Sequence, residues 1–136
     1  MINVFRLRLG AILHFIIAIG HLICPFFLEE AFKAYGILDE MMHLCFGQEW
    51  LLYVVTCLAV GFVIAGLYAL SVAGDMRKLP LQSLVMIVIV VLYSVRVIVG
   101  IGWLLHEFTY LQFFSTLVQM LLVYCYFPGL KRDKQV

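Results

Sequence analysis

Polar and apolar residues do not alternate along this chain; they fall into long blocks. Four stretches are almost wholly apolar: from about Leu9 to Leu28, Trp50 to Ala73, Leu81 to Leu105 with the single charge Arg96, and Tyr110 to Phe127. A helix needs about 20 mainly apolar residues to cross a hydrocarbon layer roughly 30 Å thick, so each stretch predicts a transmembrane helix. Strands would require alternation over about ten positions, and Leu84 to Val91 is apolar at every one. The expectation is an all-α, single-domain, four-helix transmembrane bundle.

In lipid the buried face of a helix is marked by small and polar residues, because lipid tails are as apolar as leucine. On the first helix Ala11, His14, Ala18, His21 and Pro25 follow a 3-4-3-4 spacing and form one stripe. The third carries Gln82, Met86, Ile89, Tyr93, Arg96, Gly100 and Trp103 in the same rhythm, and the fourth Gln112, Ser115 and Gln119, with Thr116 beside them. On the second helix Gly61, Ala65, Ala69 and Ala73 recur every four residues, with Tyr53, Thr56 and Cys57 on the other side. Such a ribbon of small residues lets another helix approach closely. It serves either packing within the bundle or contact with a second copy of the chain.

Residues 29–49 are too polar to span. Ala34, Ile37, Leu38, Met41 and Cys45 recur at helical spacing, with Lys33, Gly36, Glu40 and His43 opposite. One or two short amphipathic helices on the outer membrane surface, broken at Gly36, fit this pattern. They form either a lid or docking surface, or a plain connector. The acids Glu29, Glu30, Asp39, Glu40 and Glu49 against Lys33 make this face anionic, which disfavours acidic partners.

Composition narrows the class further. Of 136 residues, 65% are hydrophobic and 12% charged, against roughly 45–50% and about 25% in soluble domains. That excludes an ordinary water-soluble fold, and equally a disordered chain. A net charge of +1 argues against a nucleic-acid partner, which requires a basic surface. Lys and Arg sit before the first stretch (Arg6, Arg8), between the second and third (Arg77, Lys78) and after the fourth (Lys131, Arg132, Lys134). The positive-inside rule therefore places both termini in the cytoplasm. The basic start of the first stretch resembles a signal peptide, but Ile23-Cys24-Pro25-Phe26 offers no small-x-small cleavage site, so it is read as a retained helix.

Arg96 is the costliest residue, because arginine near a helix centre costs on the order of 3 kcal/mol on insertion scales. It lies about eight residues, roughly 12 Å, from the outer end of its span, at a depth similar to His21. An outward-opening pocket is expected, with Arg96 and His21 in its wall, Tyr53, Tyr93, Gln112 and Ser115 completing the lining, and Glu49, Glu107 and His106 at its rim. A guanidinium fork pairs two oxygens at once, so the expected ligand is anionic or polar: a lipid head group, a quinone or a small metabolite. The bland alternative is an arginine whose pairing merely fixes the bundle. His14, on the same face as His21, reads as a hydrogen-bonded interior histidine.

No catalytic motif is present: no phosphate loop, HExxH or nucleophile elbow. His14 and His21 lie roughly 10 Å apart on one face, too far to share a metal ion and on the wrong side of each other to sandwich a haem. The four Cys form no tight cluster, although Cys24 and Cys45 both reach the outer side, where a disulfide can form. The chain is expected to be a non-enzymatic membrane subunit or ligand binder. Rival readings are a minimal dimeric transporter, weakened by the lack of an Asp or Glu inside a span, and a haem-carrying or redox subunit.

With Gly20-His21-Leu22 ending the first helix, Pro25, and an aromatic-acidic loop, the chain resembles small four-span bacterial membrane proteins of the DoxX-like group. The resemblance covers the layout of the whole chain. It implies a bacterial inner-membrane location and transfers no active-site residue.

Overall fold

The computed structural model describes residues 2–36, 38–44 and 48–132, and among them all regular structure is helical. In chain order the helices are α1 (Ile2–Ile23), α2 (Leu28–Tyr35), α3 (Leu38–Leu44), α4 (Gln48–Ala73), α5 (Gln82–His106), α6 (Tyr110–Tyr126) and the short α7 (Gly129–Arg132). Three helical segments are long and apolar enough to cross a membrane: residues 3–35, 49–73 and 82–106. With 26 and 25 residues, α4 and α5 are roughly 38 Å long at the standard rise. The fourth long helix, α6, is apolar but shorter, at 17 residues.

Helix α1 differs from the span expected at 9–28. It begins at Ile2 and gives way to a 3₁₀ turn over Cys24–Phe27, with Pro25 in its first turn. Hydropathy marks where a chain leaves lipid, whereas helix formation depends on backbone propensity, and arginine is a good helix former. Arg6 and Arg8 are therefore inside the helix. Proline lacks the N–H needed to continue an i→i−4 ladder, which explains the tighter turn at the other end.

The four long helices form a closed ring. Their most extensive contact is α1 with α4, followed by α5 with α6, α1 with α6, and α4 with α5. Neighbours in this ring run antiparallel, since Arg8 near the start of α1 reaches Asp75 just beyond α4, and Arg6 donates to the carbonyl of Tyr124 near the end of α6. The end of the ring that holds Arg6, Arg8 and Asp75 is called the basal end below, and the opposite end the distal end.

The largest buried cluster lies in the basal half. It draws Leu7 and Ala11 from α1, Ala65, Ala69 and Ala73 from α4, Met86, Ile89 and Val90 from α5, and Leu122, Cys125 and Tyr126 from α6. Gly66 admits the ring of Phe15, which would lie 2.8 Å from a Cβ at that position. At the basal turn Gly74 takes a positive φ of 94°. The Ser71 hydroxyl knots the α4–α5 connection there: it donates to the carbonyl of Arg77 at 2.7 Å and accepts from the amide N–H of Leu79 at 3.0 Å and from the side chain of Gln82.

The distal half is built differently. Leu28, Leu51 and Val55 form a small separate cluster, packed by Cys24, Phe32 and Met42. Helices α2 and α3 are parted at Gly36, whose φ of 69° suits a residue without Cβ. Phe32 and Met42 pack on that cluster, Leu38 is half-buried and Ala34 is exposed. Ile37 and Cys45, and with Cys45 the expected disulfide to Cys24, lie outside the described residues.

Much of the ring's outer surface is apolar and uncovered. On α5 alone Leu84, Val91, Leu92, Ile98 and Leu105 are each more than half exposed, Leu105 by 85%. A soluble monomer rarely exposes contiguous apolar surface on this scale.

Candidate functional site

The stripe on α1 fixes the geometry of the interior. Ala11, His14 and Ala18 are buried, while His21 and Pro25, further along the same face, are half-buried. Access thus increases toward the distal end, and the polar side chains along the interior fall into two groups.

The deeper group centres on His14, which has no exposed surface. Its Nδ1 lies 3.0 Å from the Gly10 carbonyl oxygen and 2.5 Å from the Tyr126 hydroxyl, and its Nε2 lies 2.7 Å from the Tyr93 hydroxyl. A carbonyl oxygen only accepts, so the proton of a neutral imidazole belongs on Nδ1, and Nε2 accepts from the Tyr93 O–H. The rings of Tyr93 and Tyr126 meet the imidazole edge-on, with centroids 5.3 and 5.0 Å away, and Phe62 lies 6.0 Å away. Each long helix therefore contributes one side chain to this knot. Helical side chains lean toward their own N-terminus, so Tyr126, on the last turn of α6, leans back into the ring. Gly10 makes room for it, since a Cβ there would lie 3.1 Å from the Tyr126 ring.

The second group lies about one turn further along α5. Arg96 is half-buried, and no hydrogen bond or ion pair joins it to any described residue. Its side chain extends distally: Nη1 would lie 3.4 Å from a Cβ on Gly100, one turn onward, and Thr116 Oγ1 would lie 2.6 Å from the same point. The missing side chain at Gly100 thus lets α6 come close, with the Thr116 side chain and the guanidinium crowding the place a Cβ would take. The Thr116 hydroxyl donates to the Gln112 carbonyl at 2.8 Å, and both residues are buried.

The other expected residues are spread around Arg96. His21 donates from Nδ1 to the Ile17 carbonyl at 2.9 Å and packs on Phe62 of α4, with ring centroids 4.7 Å apart. No contact joins it to Arg96 among the described residues. Tyr93 belongs to the His14 knot. Ser115 bonds Gln119 on α6 at 3.1 Å, and Tyr53 is exposed beside Trp50. Glu49 lines a shallow groove of about 260 Å³ with Pro25, Leu28 and Leu52, and Glu107 is an exposed residue that caps α5. Ala65, Ala69 and Ala73 are buried in the basal cluster, whereas Gly61 is exposed.

Two contributors escaped the sequence reading. Tyr126 lies seven residues beyond Gln119, so extending the α6 stripe by two turns finds it. Phe62 has no such signal, because an inward phenylalanine reads the same as a lipid-facing one.

The two ends carry opposite charge. At the basal end Arg8 pairs with Asp75 through two bonds of 2.8 and 2.5 Å, and this pairing holds the Asp75 carboxyl below its ordinary range. At the distal end Glu29, Glu30, Asp39, Glu40, Glu49 and Glu107 are all exposed, and Lys33 is engaged by Glu29 at 2.5 Å. Exposed aromatic rings cluster there as well, among them Trp50, Tyr53, Phe108, Tyr110 and Phe114.

The chain matches no protein-family model, no curated protein and no solved structure. The likeness of layout to the DoxX-like group accordingly gives no residue a role, and the site is read from its own chemistry.

Proposed function

We propose that the chain is a non-enzymatic integral membrane protein of the bacterial inner membrane, a four-helix transmembrane bundle with both termini cytoplasmic. In this reading α2 and α3 lie on the outer surface, and an outward-facing site centred on Arg96 holds a polar or anionic group. The uncovered apolar surface of the ring supports membrane insertion. Basic residues gathered at one end are the usual mark of the cytoplasmic side, and exposed Trp and Tyr rings that of a membrane–water interface.

One observation carries the binding reading: the half-buried Arg96 guanidinium has no partner among the described residues. A charge in such surroundings is stable only when something neutralises it, and intramembrane charges are functional by default. The absence of a side chain at Gly100 lets the guanidinium run distally along α5, past the buried Thr116 of α6. His21, Gln112 and the rim carboxylates Glu49 and Glu107 then shape the approach rather than hold the ligand.

Native mass spectrometry of the full chain, released gently from membranes, tests this. The expected spectrum contains a co-purifying polar or anionic small molecule that Arg96→Ala loses. Equal retention by that variant would remove the basis for a site at Arg96. Orientation is checked separately with a cysteine appended after Val136 in a chain whose four native cysteines are replaced by alanine: labelling of intact cells by a membrane-impermeant maleimide would reverse the assignment of the termini.

A further inference from the structure

We infer that the group held at Arg96 is the phosphate of an anionic phospholipid, reaching the guanidinium from the outer leaflet rather than from water. The inference rests on the Arg96 site proposed above and names its ligand.

Three observations carry it. The guanidinium is directed distally, and Gly100 lies six residues before His106, the last residue of α5, about 9 Å at the helical rise. That is within reach of a head group just above the hydrocarbon layer, and arginine extends toward such a level readily. Next, the immediate flanks of Arg96 are open and apolar: Val95 and Val99 are each 53% exposed. A lipid tail can therefore lie along α5 while its phosphate meets the guanidinium. Finally, the distal rim carries six exposed carboxylates against one lysine already paired. Such a surface lowers the local concentration of free anions, whereas a phosphate anchored in the bilayer arrives beneath it. Guanidinium and phosphate oxygens form paired charge-assisted hydrogen bonds.

The test uses the full-length chain in lipid nanodiscs, either of phosphatidylcholine alone or of phosphatidylcholine with phosphatidylglycerol, followed by native mass spectrometry. We expect one phosphatidylglycerol to be retained in preference to phosphatidylcholine and not to be displaced by added inorganic phosphate. Retention should fall about tenfold in Arg96→Gln, the scale of one lost hydrogen bond to a charged group. Arg96→Lys, which keeps the charge but not the paired donors, should lose part of this retention, and it replaces Arg96→Gln should that variant not fold. Phosphate binding at Arg96 without enrichment of phosphatidylglycerol overturns the lipid assignment and leaves the anion site standing. Retention of phosphatidylglycerol undiminished in both variants overturns the lipid assignment. Absence of both phosphate and lipid binding overturns it together with the anion site.

Discussion

The basal and distal halves of the ring are made from the same kinds of residue but hold together differently. In the basal half all four long helices share one buried cluster, closed above by the His14 knot, to which each of them contributes a side chain. In the distal half the buried residues divide. Leu51 and Val55 of α4 pack with Leu28 of α2, whereas Gly100 of α5 meets Thr116 of α6. Polar groups follow suit: His14 has every ring nitrogen engaged, and Arg96 is unpaired among the described residues. A satisfied buried network rigidifies its surroundings, while an unsatisfied charge is held ready for an outside partner. The difference places the shared core in one half and, on the proposed function, recognition in the other.

Substitutions graded by size can break this division. The largest effect is expected from Leu122→Ala in the basal cluster, a loss of about 2–5 kcal/mol. Ile98→Ala on the exposed face of α5 should cost within about 0.5 kcal/mol. Denaturation in mixed micelles, followed by circular dichroism, compares the two, and equal losses would erase the contrast. Gly10→Val follows, at about 1–3 kcal/mol for overpacking, because the new side chain collides with Tyr126 and Cys125. Restoration of that loss by Tyr126→Ala would trace it to the collision.

His14→Leu should cost about 1–2 kcal/mol, leaving two tyrosine hydroxyls without their partner. Nitrogen NMR of the wild-type imidazole should show the proton on Nδ1, and a proton on Nε2 would contradict the knot as described. Arg96→Leu should change stability by less than about 0.5 kcal/mol in detergent free of lipid, since no described contact is lost. A drop as large as that of His14→Leu would make Arg96 a structural residue. The smallest effect is at the Arg8–Asp75 pair. Because the folded-state pKa of Asp75 is depressed by Arg8, its contribution is complete above the ordinary aspartate pKa and fades as pH falls through the depressed value. Wild type and Asp75→Asn should therefore differ near neutrality and converge in acid.

The helical class was legible because apolar blocks of this length admit few other structures. The inward stripes on α1 and α5 were legible because only small or polar residues distinguish protein from lipid at a helix surface. For the same reason Phe62 was invisible, as was the packing of Phe32 and Met42 against Leu28, Leu51 and Val55. Spacing along one helix also cannot say which stripes meet across helices. His21 and Arg96 share a nominal depth in sequence, yet His21 packs on α4 and Arg96 turns toward α6.

The chain beyond α6 closes the basal end. Pro128 and Gly129 are buried, and a Cβ on Gly129 would lie 2.5 Å from Met86 and 3.5 Å from Leu7. With Val72 alongside, these side chains form a dry stopper under the ring. On the proposed function, a membrane protein that admits a polar guest from one side must still insulate the other, or ions would leak through its interior and dissipate the voltage across the bilayer. That insulation would then rest on a glycine small enough to let a methionine seal the floor.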